Sequence, residues 1–133
     1  MNQNNDICGV VGIGTDITDV KRIESLIEKY GDSFLTKTFT DREIQDCKKY
    51  ANSAQKFAAR FAAKEAMSKA LSTGIRGKIT LKSLSVINGE LGEPIAVLDE
   101  HAQAQLEKIG AKKMLISLSH LKEYAQAFAV ATR

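Results

Sequence analysis

The sequence predicts an α+β fold in which an antiparallel sheet packs against one long helix. Three observations lead there. The elements run in the order one strand, then helices, then mostly strands, so no parallel crossover is required late in the chain. The longest helical pattern, residues 54–72, ends in Thr73-Gly74, a stop signal. Two β-rich runs near the carboxyl end, residues 113–119 and 124–131, are joined by only His120-Leu121-Lys122-Glu123. A length of 133 residues suits one domain spanning 1–133, and 44% hydrophobic with 26% charged residues is ordinary for a globular chain.

Residues 1–5 read as a disordered or tag-like start, and the polar, acidic stretch 1–6 is not a signal peptide. Residues 7–17 (ICGVVGIGTDI) are β-branched and glycine-rich, the pattern of a buried strand. Thr18 or Asp19 can cap a helix over 20–30 whose apolar stripe is Ile23, Leu26 and Ile27, and Gly31 stops it. A short turn or helix follows near 33–37. Thr40-Asp41-Arg42-Glu43 has capping-box spacing and opens a helix over 41–50. Ser53 is placed to cap the long helix. Residues 81–88 and 95–98 read as strands around the turn signals Asn88-Gly89 and Leu91-Gly92, and Asp99 can cap a helix to Ile109.

Several classes fall away. No apolar run reaches the roughly 18 residues of a membrane span. Cys8 and Cys47 lack metal-site or CxxC spacing and read as reduced thiols of a cytoplasmic protein. The net charge of +3 looks mild but hides a division. Residues 48–82 hold nine basic residues and a single acid, Glu65, so this segment carries +8 and the remainder −5. An anionic ligand should meet that middle segment. With eight aromatics and no RNP-like stacking pattern, RNA is a poor candidate for it.

Two acids stand out. On a helical wheel, Glu65 and Lys69 fall inside the apolar arc of Phe57, Ala58, Phe61, Ala62 and Ala66, whereas Arg60 and Lys64 fall toward Lys56 on the basic side. A charged pair there is either a structural i,i+4 ion pair or part of a ligand or metal site. In the first strand Gly12, Gly14 and Asp16 share a face, so another backbone or a ligand can approach closely beside the Asp16 carboxylate. Asp16 can alternatively cap the following helix. The GxG is no dinucleotide fingerprint, because the third glycine is missing. Two carboxylates from separate elements, with lysines around them, suit a hard divalent cation shared with phosphate oxygens.

At these residues the chain resembles a known family. Gly12-Ile13-Gly14-Thr15-Asp16-Ile17, then Phe57-Ala58-Ala59-Arg60-Phe61-Ala62-Ala63-Lys64-Glu65-Ala66 with Lys69, then Ser117-Leu118-Ser119-His120 with Lys122-Glu123-Tyr124-Ala125, are similar to the short bacterial holo-acyl-carrier-protein synthases of the 4′-phosphopantetheinyl transferase superfamily. The resemblance runs from about Val11 to Val130. It implies that family's fold and a Mg²⁺-dependent transfer of 4′-phosphopantetheine from coenzyme A to a serine of apo-acyl carrier protein, supporting fatty acid biosynthesis. By carry-over, Asp16 and Glu65 would be the metal ligands. Lys69 would bind phosphate and stabilise developing charge, and Glu65 is also the candidate acceptor of the serine proton. His120, Lys64, Gly74 and Pro94 would contact the coenzyme. Lys21 and Arg22 would dock the acidic carrier protein. The resemblance further implies a homotrimer with active sites between subunits. Thr15 and Leu121 depart from the family pattern without removing a ligand. His101 is expected on a solvent-facing helix, with no role.

Overall fold

The computed structural model describes residues 9–133, so the expectations for residues 1–6 and for a strand beginning at Ile7 lie outside the described residues. Strand β1, Val10–Asp19, opens the chain and pairs antiparallel with β5, Tyr124–Thr132, which in turn pairs antiparallel with β4, Lys113–His120, giving the sheet order β1-β5-β4. Strands β2, Leu84–Asn88, and β3, Pro94–Leu98, form a separate two-stranded hairpin. The helices are α1 (Val20–Tyr30), α2 (Asp32–Thr38), α3 (Asp41–Lys48), α4 (Ser53–Ala70) and α5 (Glu100–Lys108). The expected α+β architecture, an antiparallel sheet on a long helix, is present.

Sequence chemistry explains most boundaries. Asp19 caps α1 by accepting from Lys21 N at 2.8 Å, a contact worth about 1 kcal/mol. Asp16 does not cap that helix. Asp99 caps α5 through Ala102 N at 2.9 Å. The Thr40–Glu43 capping box at the start of α3 forms in both directions. Two expectations are corrected. The cap of α4 is Asn52, without a side-chain cap bond, and Ser53 is already helical. Residues 81–83 are a 3₁₀ turn, because Thr80 N bonds Ser83 Oγ at 3.0 Å and draws the chain inward before β2 begins.

Helix α4 is the centre of the molecule. On one side it lies across β1 and β5, where Ala127, Ala129 and Ala131 are buried against Ala62, Ala63, Ala66 and Ala70. On the other side Phe57, Ala58 and Phe61 pack with Ile23, Leu35 and Phe39 from α1, α2 and the segment after it. The glycines of β1 set the first contact. A Cβ at Gly12 would collide with the carbonyl oxygen of Ala70, and one at Gly14 with that of Ala66. The approaching backbone foreseen from the two glycines is therefore α4 itself.

Because neighbours cover α4 on nearly every side, the wheel misplaced two residues. Arg60 and Lys64, expected on a solvated basic face, are 4% and 0% exposed. Lys64 Nζ donates to Glu43 Oε1 at 2.6 Å and to the Leu81 and Leu84 carbonyls at 3.0 Å each. All three of its protons are taken, so the expectation that Lys64 contacts the coenzyme is corrected.

The sheet face turned away from α4 is apolar and uncovered: Ile13 and Ile17 of β1, Leu115 of β4 and Phe128 of β5 are 61%, 64%, 54% and 46% exposed. Among the described residues no helix is long and apolar enough to cross a membrane.

Replacing Gly14 by Ala should lower unfolding stability by at least about 2 kcal/mol, since the new methyl group has no way round a helix backbone. Gly9→Ala, whose Cβ meets nothing within 4 Å, should change it by less than about 0.5 kcal/mol. Urea titrations of the two variants measure this difference.

Cys47 is fully buried, and burial pushes its thiol from 9.0 up to about 11, with Arg60 pulling the other way. The folded chain thus keeps this proton where the unfolded chain has lost it. The resulting stability is complete below pH 9 and disappears as pH rises toward 11. The native protein should resist alkylation at Cys47 at pH 8 and react once urea unfolds it. Between pH 9 and 11 it should lose on the order of 2–3 kcal/mol more stability than Cys47→Ala does. Peptide mapping and pH-dependent denaturation read the two effects.

Candidate active site

The close contact of α4 with β1 also brings charges together. Asp16 follows Gly12 and Gly14 on the face of β1 turned to α4, and sits opposite Ala127 in the sheet. Glu65 and Lys69 each immediately precede an alanine whose carbonyl lies against those glycines. The three side chains form one cluster. Thr18, buried in β1, donates through Oγ1 to Asp16 Oδ2 at 2.9 Å and fixes that carboxylate. Lys69 Nζ stands 3.6 Å from Asp16 Oδ1 and donates to the Thr15 carbonyl at 2.8 Å. The i,i+4 ion pair between Glu65 and Lys69, open on spacing, is replaced by this cross-element contact with Asp16.

Burial raises the Glu65 carboxyl above its ordinary value, and the neighbouring Asp16 carboxylate raises it further, while Lys69 and Arg22 pull it down. Like charges held this close favour a proton or a cation between them. No group of three or more His, Cys, Asp or Glu side chains suited to a metal occurs among the described residues. A metal that demands an all-protein cage does not match this donor set. A hard cation that takes one or two carboxylates and completes its shell with water and phosphate does match it.

A second constellation lies elsewhere on the chain. A cavity of about 230 Å³ is lined by Tyr50, Lys56, Arg60, Asn88, Pro94 and His120. Pro94 and His120, expected at a common ligand from widely separated segments, do meet here. Arg60, Lys56, Tyr50 and Asn88 were not assigned from sequence. Lys56 Nζ stands over the Tyr50 ring, 4.6 Å from its centroid. Arg60 Nη2 donates to Asn88 Oδ1 at 3.4 Å, but its buried Nε has no hydrogen-bond partner among the described residues. The guanidinium also meets the buried Cys47 side chain, and it lines the cavity as a cation that an entering anion can pair with. The sequence signal that pointed here was the excess of basic residues along α4.

The cavity shares no residue with the Asp16–Glu65–Lys69 cluster. Gly74 lines neither. Its φ of 68° and the bond from its N–H to the Ser68 carbonyl at 3.1 Å account for a glycine closing the end of α4. His120 lines a further depression of about 390 Å³ with Ile17, Leu121 and Tyr124 on the uncovered sheet face. Lys21 and Arg22 occupy the exposed first turn of α1, and the Arg22 guanidinium lies 5.7 Å from the Phe61 ring centroid, on the side of the acid pair. His101 is half-exposed beside Glu100, away from both sites.

Two carboxylates with an adjoining lysine, and a separate cationic pocket, are the equipment of an enzyme that handles a phosphorylated ligand with a divalent cation. The sequence pattern of the 4'-phosphopantetheinyl transferase superfamily matches residues 12–129. Similar proteins include the holo-[acyl-carrier-protein] synthase of Bartonella henselae, 42% identical over 125 residues that cover 91% of this chain and 94% of the relative. Among solved structures, the synthase from Neisseria meningitidis superposes with a TM-score of 0.85 at 34% identity, covering 93% of this chain and 99% of that one. The Helicobacter pylori synthase in complex with coenzyme A gives a TM-score of 0.79 at 28% identity, covering 90% and 98%. The chain belongs to the 4'-phosphopantetheinyl transferase superfamily, in its holo-[acyl-carrier-protein] synthase family.

Proposed function

We propose that the protein transfers the 4′-phosphopantetheine group of coenzyme A to a serine of apo-acyl carrier protein, releasing adenosine 3′,5′-bisphosphate and supporting fatty acid biosynthesis. The observation that carries this reading is the Asp16–Glu65 pair with Lys69 at its edge, assembled from β1 and α4 in a chain of this family.

Asp16 and Glu65 would hold Mg²⁺, which would supply positive charge against the diphosphate of coenzyme A. Thr18 keeps the Asp16 carboxylate oriented. The serine oxygen attacks the β-phosphorus and forms the new P–O bond. The bond from that phosphorus to the bridging oxygen breaks, and its electron pair leaves with adenosine 3′,5′-bisphosphate. Lys69, half-exposed and only loosely paired at 3.6 Å, turns from Asp16 to the phosphate and neutralises the leaving charge. Glu65, directly or through a water, takes up the serine proton. Arg60, His120 and Lys56 bind phosphate of the coenzyme, and Pro94 packs beside them.

Lys21 and Arg22 dock the acidic carrier protein and steer its approach. The protein acts in the cytoplasm as a homotrimer. The uncovered apolar sheet face supports that assembly. So does the separation of the acid pair from the cationic cavity, since two copies can present the two halves to one coenzyme. Gly74 then approaches the coenzyme from the subunit that supplies the acids.

Incubation with apo-acyl carrier protein, coenzyme A and Mg²⁺ should add one phosphopantetheine group to the carrier, read by mass spectrometry. Asp16→Ala and Glu65→Ala should each slow this by about 10³-fold or more with unchanged circular dichroism. Wild-type rates in either would refute the metal assignment.

Phe128→Glu, placing charge in the centre of the apolar sheet face, should leave a folded monomer of 14.5 kDa by light scattering and abolish transfer. A fully active monomer would show that one chain completes the site.

A further inference from the structure

Glu43 lies outside every site described above, yet it is the best-connected carboxylate among the described residues. It is fully buried, like Lys64. Its Oε1 accepts from Lys64 Nζ at 2.6 Å and from Thr40 N at 3.0 Å, and its Oε2 accepts from Val86 N at 2.9 Å. Lys64 spends its remaining protons on the Leu81 and Leu84 carbonyls. One ion pair therefore ties α3 and α4 to the 3₁₀ turn at Leu81 and to β2 at Leu84 and Val86.

Those ties decide where the cationic cavity is. Val86 and Asn88 are alternate residues on one face of β2, and Asn88 is paired with Pro94 across the hairpin. Arg60 is one turn before Lys64 on α4. The Glu43–Lys64–Val86 link thus stands one step, on both the helix and the strand, from the Arg60–Asn88 contact inside the cavity. The charges divide in the same way. Arg60 and Lys64 are both buried, and Glu43 compensates Lys64. Arg60 meets Asn88 and Cys47 and makes no salt bridge among the described residues.

We infer that Glu43, acting through Lys64 and β2, is a positioning residue for coenzyme binding: it holds the β2–β3 hairpin against α4 so that Asn88 and Pro94 face Arg60. It touches no substrate. The inference rests on the reading of that cavity as the coenzyme site, and the two are tested apart.

Steady-state KM values for coenzyme A and for carrier protein, and calorimetric titration with coenzyme A alone, are measured on three variants. Arg60→Gln tests the cavity. It should raise the coenzyme KM at least tenfold, and an unchanged value overturns the reading of the site. Glu43→Gln tests the positioning role. It should raise the coenzyme KM and dissociation constant about tenfold, with the carrier KM unmoved. Glu43→Leu/Lys64→Met replaces the pair by apolar side chains of similar volume, which a buried ion pair generally tolerates. It keeps the core filled but lacks the bond to Val86 N, and should show the same tenfold loss. If Arg60→Gln weakens coenzyme binding while a folded Glu43→Gln or the folded double variant binds as wild type, the positioning role is overturned. If neither folds, Glu43 is a structural residue and the inference is equally overturned.

Discussion

The contact that everything else depends on is backbone against backbone: the α4 carbonyls of Ala66 and Ala70 against Gly14 and Gly12 of β1. Glycine costs conformational entropy on folding, and a strand with two of them is intrinsically weak. Here their missing side chains are the seat of the central helix, and the alanines of β5 extend that seat across the next strand. The residues preceding Ala66 and Ala70 are Glu65 and Lys69, so seating the helix sets them beside Asp16. The same packing that stabilises the fold brings two carboxylates together: burial raises the Glu65 carboxyl, and the Asp16 carboxylate beside it raises it further. A cation or a proton beside the two carboxylates relieves their repulsion.

Along the same helix, basic residues at four-residue spacing meet different fates. Lys56 stands over Tyr50, Arg60 looks into the cationic cavity, and Lys64 is neutralised by Glu43. Positions 56, 60 and 64 lie on one face, and that face meets α3 and the β2–β3 hairpin instead of water. Burial pulls the Lys64 ammonium below its ordinary value and Glu43 pulls it back, whereas the Arg60 guanidinium is a group whose charge survives burial. Arginine is accordingly the residue suited to hold a permanent positive charge in a closed pocket and offer it to an anion.

This is also where sequence reasoning stopped. Most caps, the turns and the two hairpins were legible because they depend on local chemistry: Asp19, Asp99 and the Thr40–Glu43 box act within a few residues of themselves. The shared face of Gly12, Gly14 and Asp16, with Glu65 displaced into the apolar arc of α4, sufficed to point at the acid cluster. The wheel failed for Arg60 and Lys64 because it assumes a helix with one buried face. The alanines at 58, 59, 62, 63, 66 and 70 fill one arc of α4, and Phe57, Phe61 and Met67 fall outside that arc, so apolar residues occur on most sides of the helix. Read that way, any lysine in the segment needs an internal partner. Glu43 was identifiable only as a capping residue, since its bonds to Lys64 and Val86 depend on tertiary packing.

The geometry of α4 also constrains how the two halves of the site can work on one ligand. Arg60 and Glu65 are five residues apart, which places them about 7.5 Å apart along the helix axis and about 140° apart around it. Their side chains leave α4 toward different neighbours, Glu65 toward β1 and Arg60 toward the hairpin. A ligand held by both from a single copy must wrap around a helix that is covered on most sides. Arg60 and the acid pair lie on different flanks of α4, and the cation beside the acids is Lys69. The exposed apolar face is formed in part by β1 next to the acid cluster and continues to the depression lined by His120.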